Sequence, residues 1–350
     1  QNNEDMDMLA DKHWAEMQFT PLEFTLSREN YDDQMTPTIF DNQELAQKLE
    51  NLGIEINPKD MLGARAGIVN KEGTELILNF KKQMVNLAKL MPFADKYEQK
   101  ISSGDDIKQT MVDVDLVALT GDYAQARGGI TIAQNLPNND KLAIKTGGGR
   151  RNVYHRQVRL SHDAKRTQNM LNTFLHPNFH QYYNPEADHI FVIGHENGHS
   201  LGPSSEYQNS PGICKSIIEE NKADMVSLAM IDLLTEEGLY TEEERKKFIV
   251  TYAVDNMLKS KPELTQAHRV RSVMQNYYFI QNEAMKISKE GFLSINIDRM
   301  VYIARQMLGE IIQVQLSKDF SVGEKYVLDN FVWTEEMELI SQKLKEISKT

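Results

Sequence analysis

Residues 190–199 read Ile-Phe-Val-Ile-Gly-His-Glu-Asn-Gly-His, an apolar run that ends in an HExxH motif. On a helix, His195 and His199 are four residues apart and share one face, so both imidazoles can reach a single zinc ion. Glu196 lies about 100° around the helix, where it can act as a general base on a water molecule at the metal. Gly198 costs about 1 kcal/mol inside a helix, so we expect it to serve close packing of the backbone.

A third metal ligand is expected downstream of the motif, because catalytic zinc sites use three protein ligands. One known arrangement, HExxHxxGxxH, requires a histidine where this chain has Ser205, and a serine is not a competent ligand. The other arrangement places a glutamate on a second helix, and Glu220 follows His199 by 21 residues. Apolar residues such as Ile217 and Leu228 can pack this second helix against the first. We therefore predict that Glu220 completes the ligand set.

Two acidic neighbours, Glu219 and Asp224, are predicted to support the ligands. Asp224 lies four residues after Glu220 on the same helix face, where it can accept a hydrogen bond from the second nitrogen of a ligand histidine. Glu219 points about 100° away from Glu220, and geometry alone does not choose between the two glutamates. The pairing with Asp224 favours Glu220 as the ligand and leaves Glu219 as a supporting or cleft residue.

The composition is that of a folded globular protein with an acidic surface. The chain has 350 residues, of which 40% are apolar and 26% are charged, and its net charge is -12 at pH 7. A negative field disfavours nucleic acid and anionic membranes as partners. No stretch approaches the roughly 20 apolar residues that span a bilayer. The single cysteine, Cys214, excludes an intramolecular disulfide and disfavours a cysteine-based metal site.

The chain begins with the polar residues Gln1 to Asp5 and has no initiator methionine. Either a longer sequence was shortened here, or a signal segment is removed in the cell. A processed Gln1 would indicate the cell envelope or secretion, and otherwise the cytoplasm is expected.

Three segments differ in their apolar patterns. Residues 1–109 carry short helical patterns, at 40–52 and 74–91, and are predicted to be mostly helical. Residues 110–160 alternate apolar and polar positions between glycine-rich turns, which predicts a small β-sheet. Residues 161–350 are almost entirely helical in pattern, with predicted helices at 164–175, 189–200, 213–234, 241–258, 264–289, 296–314 and 334–347. The predicted fold class is α+β, with a mostly helical zinc-binding C-terminal half and a mixed N-terminal half.

Two motifs in the helical half resemble the dipeptidyl peptidase III family of zinc metallopeptidases. Residues 195–203 read His-Glu-Asn-Gly-His-Ser-Leu-Gly-Pro, and residues 218–224 read Ile-Glu-Glu-Asn-Lys-Ala-Asp. The branch whose members can be fused to Nudix domains is the most similar, because the better-known branch has an extra residue inside its HExxH motif. The resemblance runs from about Thr110 to the C-terminus and includes three further segments: 121–138, 267–271 and the residues from Gly309 onward.

The resemblance implies a hydrolase that binds one zinc ion and removes dipeptides from the N-terminus of short peptides. It implies that His268 stabilises the tetrahedral intermediate and that Asn135 holds the peptide backbone or its free amino end. Tyr123 and Arg127 are implied as residues of the active-site cleft, which would lie between two lobes. The peptide substrate would lie along an exposed strand edge, for which the run 128–133 is the candidate.

Two other functions fit the same residues. A catalytically silent zinc-binding or peptide-binding protein would use the metal to brace two helices. Glu196 argues against this alternative, because a structural site has no need of a general base and is usually closed by four protein ligands. A metalloprotease that acts on whole proteins is the second alternative, and digestion of peptides of graded length would distinguish it.

Overall fold

The chain divides into two compact units in a computed structural model. Unit 1 comprises Gln1–Ile77 and Lys108–Gln157, and unit 2 comprises Leu78–Ile107 and Val158–Thr350. The helical half of the chain therefore forms one unit together with a segment of the N-terminal region. The residues that the structure describes are 22–30, 60–99, 101, 111–121, 133–136, 150–153, 164–264 and 266–347.

Unit 1 contains a five-stranded mixed sheet. Its strands lie in the order β1-β2-β3-β5-β4. Neighbouring strands are antiparallel except for β3 and β5, which are parallel. The strands are β1 (Leu22–Asn30), β2 (Asp60–Asn70), β3 (Met111–Gly121), β4 (Ala133–Leu136) and β5 (Arg150–Val153).

The alternation of apolar residues in β3 produces one buried face of this sheet. Val112, Val114 and Leu116 form a buried cluster, and Val69 of β2 packs against it. Strands β2 and β3 approach closely at Gly67, where an added Cβ atom would meet Val114 Cγ1 at 2.2 Å. A glycine is required at this position because any side chain would push the two strands apart.

Strands β1 and β2 are a departure from the sequence analysis, which predicted that residues 1–109 are mostly helical. The described part of this region holds both strands beside two helices, α1 (Lys71–Lys82) and α2 (Met84–Leu90). Strand β2 reads DMLGARAGIVN and is rich in glycine and alanine. These residue types are uncommon in β-strands, so the composition of this segment did not predict a strand. The helix predicted at 74–91 corresponds to α1 and α2, whereas the one predicted at 40–52 lies outside the described residues.

Unit 2 is built almost entirely from helices. Most of the predicted helices in residues 161–350 are present within a few residues of their expected bounds, which confirms a mostly helical α+β fold. The prediction at 213–234 is divided into two helices at Met230, and that at 264–289 ends early because the chain turns into a hairpin. The helices are α3 (Ala164–Phe174), α4 (Asp188–Gly198), α5 (Ser205–Gln208), α6 (Lys215–Ala229), α7 (Ile231–Glu236), α8 (Glu242–Asp255), α9 (Ala267–Gln281), α10 (Ile297–Ser317), α11 (Phe320–Asn330) and α12 (Glu335–Ile347), and the hairpin strands are β6 (Met285–Ile287) and β7 (Leu293–Ile295).

In unit 2, helix α10 packs along one side of α6. It is 21 residues long and buries an apolar stripe that includes Met300, Met307 and Ile311. Arg305 and Glu310 lie outside this stripe, as expected for an amphipathic surface helix. Among the described residues, no helix combines the length and the apolar character needed to cross a membrane.

Helix α6 lies at the centre of unit 2 and packs against α4, α9 and α10. All nine residues from Asn221 to Ala229 are buried, so this part of the helix has no solvent-exposed face. A helix enclosed in this way can present polar side chains to several neighbours at once. Its first turns carry Glu219 and Glu220, and the packing against α4 brings them to the HExxH motif.

Two glycines allow α4 and α6 to approach at backbone distance. An added Cβ atom at Gly194 would lie 2.2 Å from Ser227 Oγ, and one at Gly198 would lie 2.9 Å from the carbonyl oxygen of Ala223. Real Cβ atoms essentially never show contacts this short, whether with the Ser227 side chain or with the Ala223 backbone. Gly198 therefore offsets its unfavourable helix propensity by permitting the close crossing of the two helices.

Candidate metal centre

Helix α4 sets the spacing of the two histidines. Its apolar residues Ile190, Val192 and Ile193 are buried and therefore determine which side of α4 faces the interior of unit 2. His195 lies in the last turn, and His199 follows the helix with helical backbone angles of φ -59° and ψ -28°. The His199 N–H donates to the carbonyl oxygen of His195 at 3.2 Å, so the helical spacing continues through the motif.

Three donor atoms converge between α4 and α6. His195 Nε2 lies 3.2 Å from both His199 Nε2 and Glu220 Oε2. His199 Nε2 lies 3.8 Å from Glu220 Oε2. Zinc ligands about 2.0–2.1 Å from a tetrahedral ion are separated from one another by roughly 3.3 Å. The donors therefore fit a metal ion of this size, and this group could hold one.

Each histidine is oriented by a carboxylate on its second ring nitrogen. His195 Nδ1 lies 2.6 Å from Asp224 Oδ1, and His199 Nδ1 lies 3.2 Å from Glu219 Oε1. An N–H at Nδ1 that donates to a carboxylate leaves Nε2 as the acceptor, which is the form that binds a metal. The two glutamates of α6 thus have separate contacts, with Glu220 at the Nε2 atoms and Glu219 behind His199.

Asp224 is the centre of a buried polar network around His195. It is fully buried and accepts hydrogen bonds from Arg271, from Tyr252 Oη at 3.2 Å and from Gln275 Nε2 at 3.0 Å. Burial alone would raise the pKa of Asp224, but the Arg271 charge and the His195 hydrogen bond lower it below its ordinary value. Asp224 is therefore held as a carboxylate that faces the imidazole.

Glu219 is held by a different set of donors. Lys222 Nζ lies 2.8 Å from Glu219 Oε1, and Gln208 Nε2 donates to the same oxygen at 3.4 Å. Gln315 Nε2 of α10 donates to Oε2 at 3.3 Å. Lys222 is fully buried, whereas the Glu219 and His199 side chains are each 20% exposed. This side of the cluster therefore lies nearer to solvent than the Asp224 side.

The charges of the cluster shift the pKa values of its members. Burial would lower the pKa of His195, but its hydrogen bonds to Asp224 and Glu220 raise it to about 9. Burial would raise the pKa of Glu220, but the nearby His268 and His199 lower it well below its ordinary value. In the metal-free protein, this arrangement favours a protonated imidazole between two carboxylates.

The two residues with predicted chemical roles lie on different helices. Glu196 follows His195 on α4 and is half-buried. His268 is the second residue of α9, and its Nε2 atom lies 3.1 Å from Glu220 Oε2 with 41% of the side chain exposed. The structure therefore brings His268 to the donor cluster while leaving its ring open to solvent.

The three residues predicted to contact substrate belong to the N-terminal part of the resemblance. Asn135 lies on β4 of unit 1 and pairs with Arg151 of β5, whereas the donor cluster belongs to unit 2. Tyr123 and Arg127 lie outside the described residues, as does most of the candidate edge 128–133.

Sequence reasoning missed the cations and the tyrosine that support the carboxylates. Arg271 and Tyr252 are brought to Asp224 from α9 and α8, at a distance in sequence that no local pattern reveals. Lys222 carried a local signal, because it follows Glu219 by three residues on a helix. The sequence did not show that Lys222 is completely buried, because this burial depends on how α6 packs against its neighbours.

Known proteins match the chain in structure and not in sequence. No protein-family model and no curated protein matches it. A dipeptidyl peptidase III structure from Caldithrix abyssi aligns with a TM-score of 0.78 and 18% identity over 96% of this chain. One from Corallococcus sp. strain EGB aligns with a TM-score of 0.74 and 18% identity over 95% of this chain. The chain has the dipeptidyl peptidase III fold.

This fold is shared over only part of the known structures. The chain spans 61% of the Caldithrix abyssi dipeptidyl peptidase III chain and 58% of the Corallococcus one. At 18% identity the similarity establishes the fold.

Proposed function

We propose that this chain is a zinc-dependent metallopeptidase that cleaves short peptides in the manner of a dipeptidyl peptidase. The observation that carries the proposal is the convergence of His195, His199 and Glu220, with their donor atoms 3.2–3.8 Å apart. Two histidines and one glutamate that leave a coordination position open are typical of catalytic zinc. The dipeptidyl part rests on the shared fold with two dipeptidyl peptidase III structures.

The choice of zinc follows from the donors. Imidazole nitrogens suit zinc, whereas magnesium and calcium prefer sites made only of oxygen ligands. Asp224 and Glu219 orient the two imidazoles from behind, as zinc-bound histidines require. When bound, the metal supplies Lewis-acid activation of a water molecule and of the scissile carbonyl group.

Glu196 is proposed to act as the general base. It follows a ligand histidine on α4 and would take the proton from the attacking water and return it to the leaving amine. His268, which lies 3.1 Å from Glu220 and is partly exposed, would donate a hydrogen bond to the oxyanion of the tetrahedral intermediate. A base and an oxyanion donor around one open position distinguish a peptidase from a structural zinc site.

The decisive experiment compares the wild-type protein with the Glu196→Gln variant. Both are expected to bind about one zinc per chain, measured by metal analysis, and only the wild type should release dipeptides from short peptides. The matched control is Glu206→Gln, an exposed glutamate that pairs with Lys318, and it should cleave like the wild type. Equal cleavage by wild type and Glu196→Gln would refute the mechanism.

Substrates of graded length extend this experiment to the alternatives. Preference for peptides of a few residues, with dipeptides as products, is expected. Internal cleavage of folded proteins would instead identify a metalloprotease of whole proteins. Zinc binding without cleavage of any peptide would identify a binding protein.

A further inference from the structure

We propose that Lys222 is a positioning residue of the metal centre, which fixes His199 from two directions at once. Its ammonium group lies 2.8 Å from Glu219 Oε1 and donates to the carbonyl oxygen of Leu201 at 2.7 Å. Glu219 contacts the His199 ring, and Leu201 follows His199 by two residues. Both contacts of Lys222 therefore lead to the same ligand.

The burial of Lys222 makes its charge costly without these partners. The side chain is fully buried in the middle of α6. An ammonium group in such a place is tolerated when a carboxylate and further hydrogen bonds compensate for its lost hydration. An apolar side chain would fill the same space without this requirement, so packing alone does not account for a lysine here.

The first contact acts on the His199 ring through Glu219. The Glu219 carboxylate is partly exposed and accepts from His199 Nδ1 at 3.2 Å, a longer contact than the 2.6 Å one between Asp224 and His195. Lys222 supplies a positive charge on the same oxygen that faces the imidazole. The ammonium group thereby holds the Glu219 carboxylate in the position from which it contacts His199.

The second contact acts on the backbone that follows the HExxH motif. Ser200 and Leu201 leave α4 in a tight turn, in which their N–H groups donate to Asn197 and Gly198. The Lys222 ammonium group binds the Leu201 carbonyl at the end of that turn. His199 is thereby held between a fixed backbone on one side and an aligned carboxylate on the other.

The inference rests on the proposed zinc site but not on peptidase activity, so the test measures metal binding. The Lys222→Met variant, which keeps the length and loses the charge, is expected to bind zinc about tenfold more weakly, as supporting residues of metal ligands typically do. Its cobalt-loaded form should show a shifted visible spectrum, because the His199 ligand is no longer fixed. Lys222→Arg should recover most of the affinity.

A double-mutant cycle separates positioning from general stability. In a Glu219→Gln background, Lys222→Met should weaken zinc binding less than about threefold further, since the Glu219 contact is already weakened and mainly the contact with the Leu201 carbonyl remains to be lost. Arg245→Met is the matched control, because it removes another buried cation of unit 2 that pairs with Asp232 and Asp298. It should lower the melting temperature without changing the zinc dissociation constant.

Two results would overturn the proposal. One is a zinc dissociation constant for Lys222→Met within twofold of the wild-type value. The other is a full tenfold loss in the Glu219→Gln background, which would mean that Lys222 does not act through Glu219. If Lys222→Met does not fold, Glu219→Gln alone decides, since unchanged zinc affinity in that nearly isosteric variant would equally refute the inference. Peptide cleavage by the wild type is scored separately and tests only the proposed function.

Discussion

The two histidines of the metal centre have opposite surroundings. His195 is buried and contacts a fully buried aspartate, whose other partners come from α8 and α9. His199 is partly exposed and contacts a partly exposed glutamate, whose partners include Lys222 and a glutamine of α10. The same ring-to-carboxylate contact is thus embedded in the core on one side and lies near solvent on the other. We expect the His195 side to contribute more to folding stability than the His199 side, and both sides to contribute to metal binding.

The largest effect is expected from removal of the glutamate that the two histidines share. Glu220→Ala should weaken zinc binding by on the order of a thousandfold, since a zinc-binding free energy of about 10–16 kcal/mol is divided among few ligands. Glu219→Ala should cost about tenfold, because it removes a support and not a ligand. Zinc titration with a competing chelator measures both. The reverse order would assign the ligand role to Glu219.

The second largest effect is expected on the buried His195 side. The Asp224→Asn variant removes the carboxylate that pairs with Arg271. Breaking a buried ion pair by removing one partner costs about 3–5 kcal/mol of stability, and the weakened support of His195 should reduce zinc affinity by about 10–100-fold. Glu219→Gln should reduce zinc affinity but cost less stability than Asp224→Asn, because the Glu219 side chain is 20% exposed and the Leu201 carbonyl still accepts a hydrogen bond from Lys222. Urea unfolding of the metal-free variants measures the difference. Equal stability losses would contradict the proposed contrast.

The folding stability of the metal-free protein should depend on pH through His195. Its pKa rises from 6.5 to about 9 on folding, so the folded state gains stability that is fully present below pH 6.5 and is lost as the pH rises through 9. This shift corresponds to roughly 3 kcal/mol. Thermal unfolding in chelator at pH 6 and pH 9 should show the loss in the wild type. The His195→Gln variant should lack it, and a loss that persists in that variant would assign it to other groups.

The smallest effect tests how far the core network extends. Tyr252→Phe removes a hydroxyl that contacts Asp224 and Gln275, and a net hydrogen bond contributes about 0.5–1.5 kcal/mol. We expect stability to fall by about this amount and zinc affinity to fall by a few fold. Tyr302→Phe, at an exposed position of α10, is the control and should change neither. If Tyr252→Phe changes neither stability nor zinc affinity, Tyr252 makes no energetic contribution to the network around Asp224.

The parts of the molecule that sequence could predict are those set by local periodicity. The helices of unit 2 follow from apolar spacing, and the HExxH motif brings two donors to one helix face because a helix turns every 3.6 residues. Strand β2 was missed because it is rich in glycine and alanine and is stabilised by neighbouring strands far away in sequence. Local pattern cannot supply that pairing.

Which glutamate faces the histidine Nε2 atoms depends on the orientation of α6 about its own axis. Helix geometry alone left Glu219 and Glu220 as alternatives, because they are adjacent on the same helix, and the sequence prediction chose Glu220 for its pairing with Asp224. The packing of α6 on α4 fixes this orientation and directs Glu220 to the Nε2 atoms and Glu219 to the back of His199. Arg271 and Tyr252 come from other helices, and no periodic signal could have identified them.

The glycines at 194 and 198 have a consequence for protein engineering. They let two ligand-bearing helices cross at backbone distance, and neither position accepts a methyl group in the present crossing. Transplanting the ligands onto a de novo helical scaffold would therefore fail if only the histidines and carboxylates were copied. A template for such a graft has to include both glycines, with Ser227 and Ala223 opposite them, because these four residues set the separation between the two helices that carry the proposed ligands.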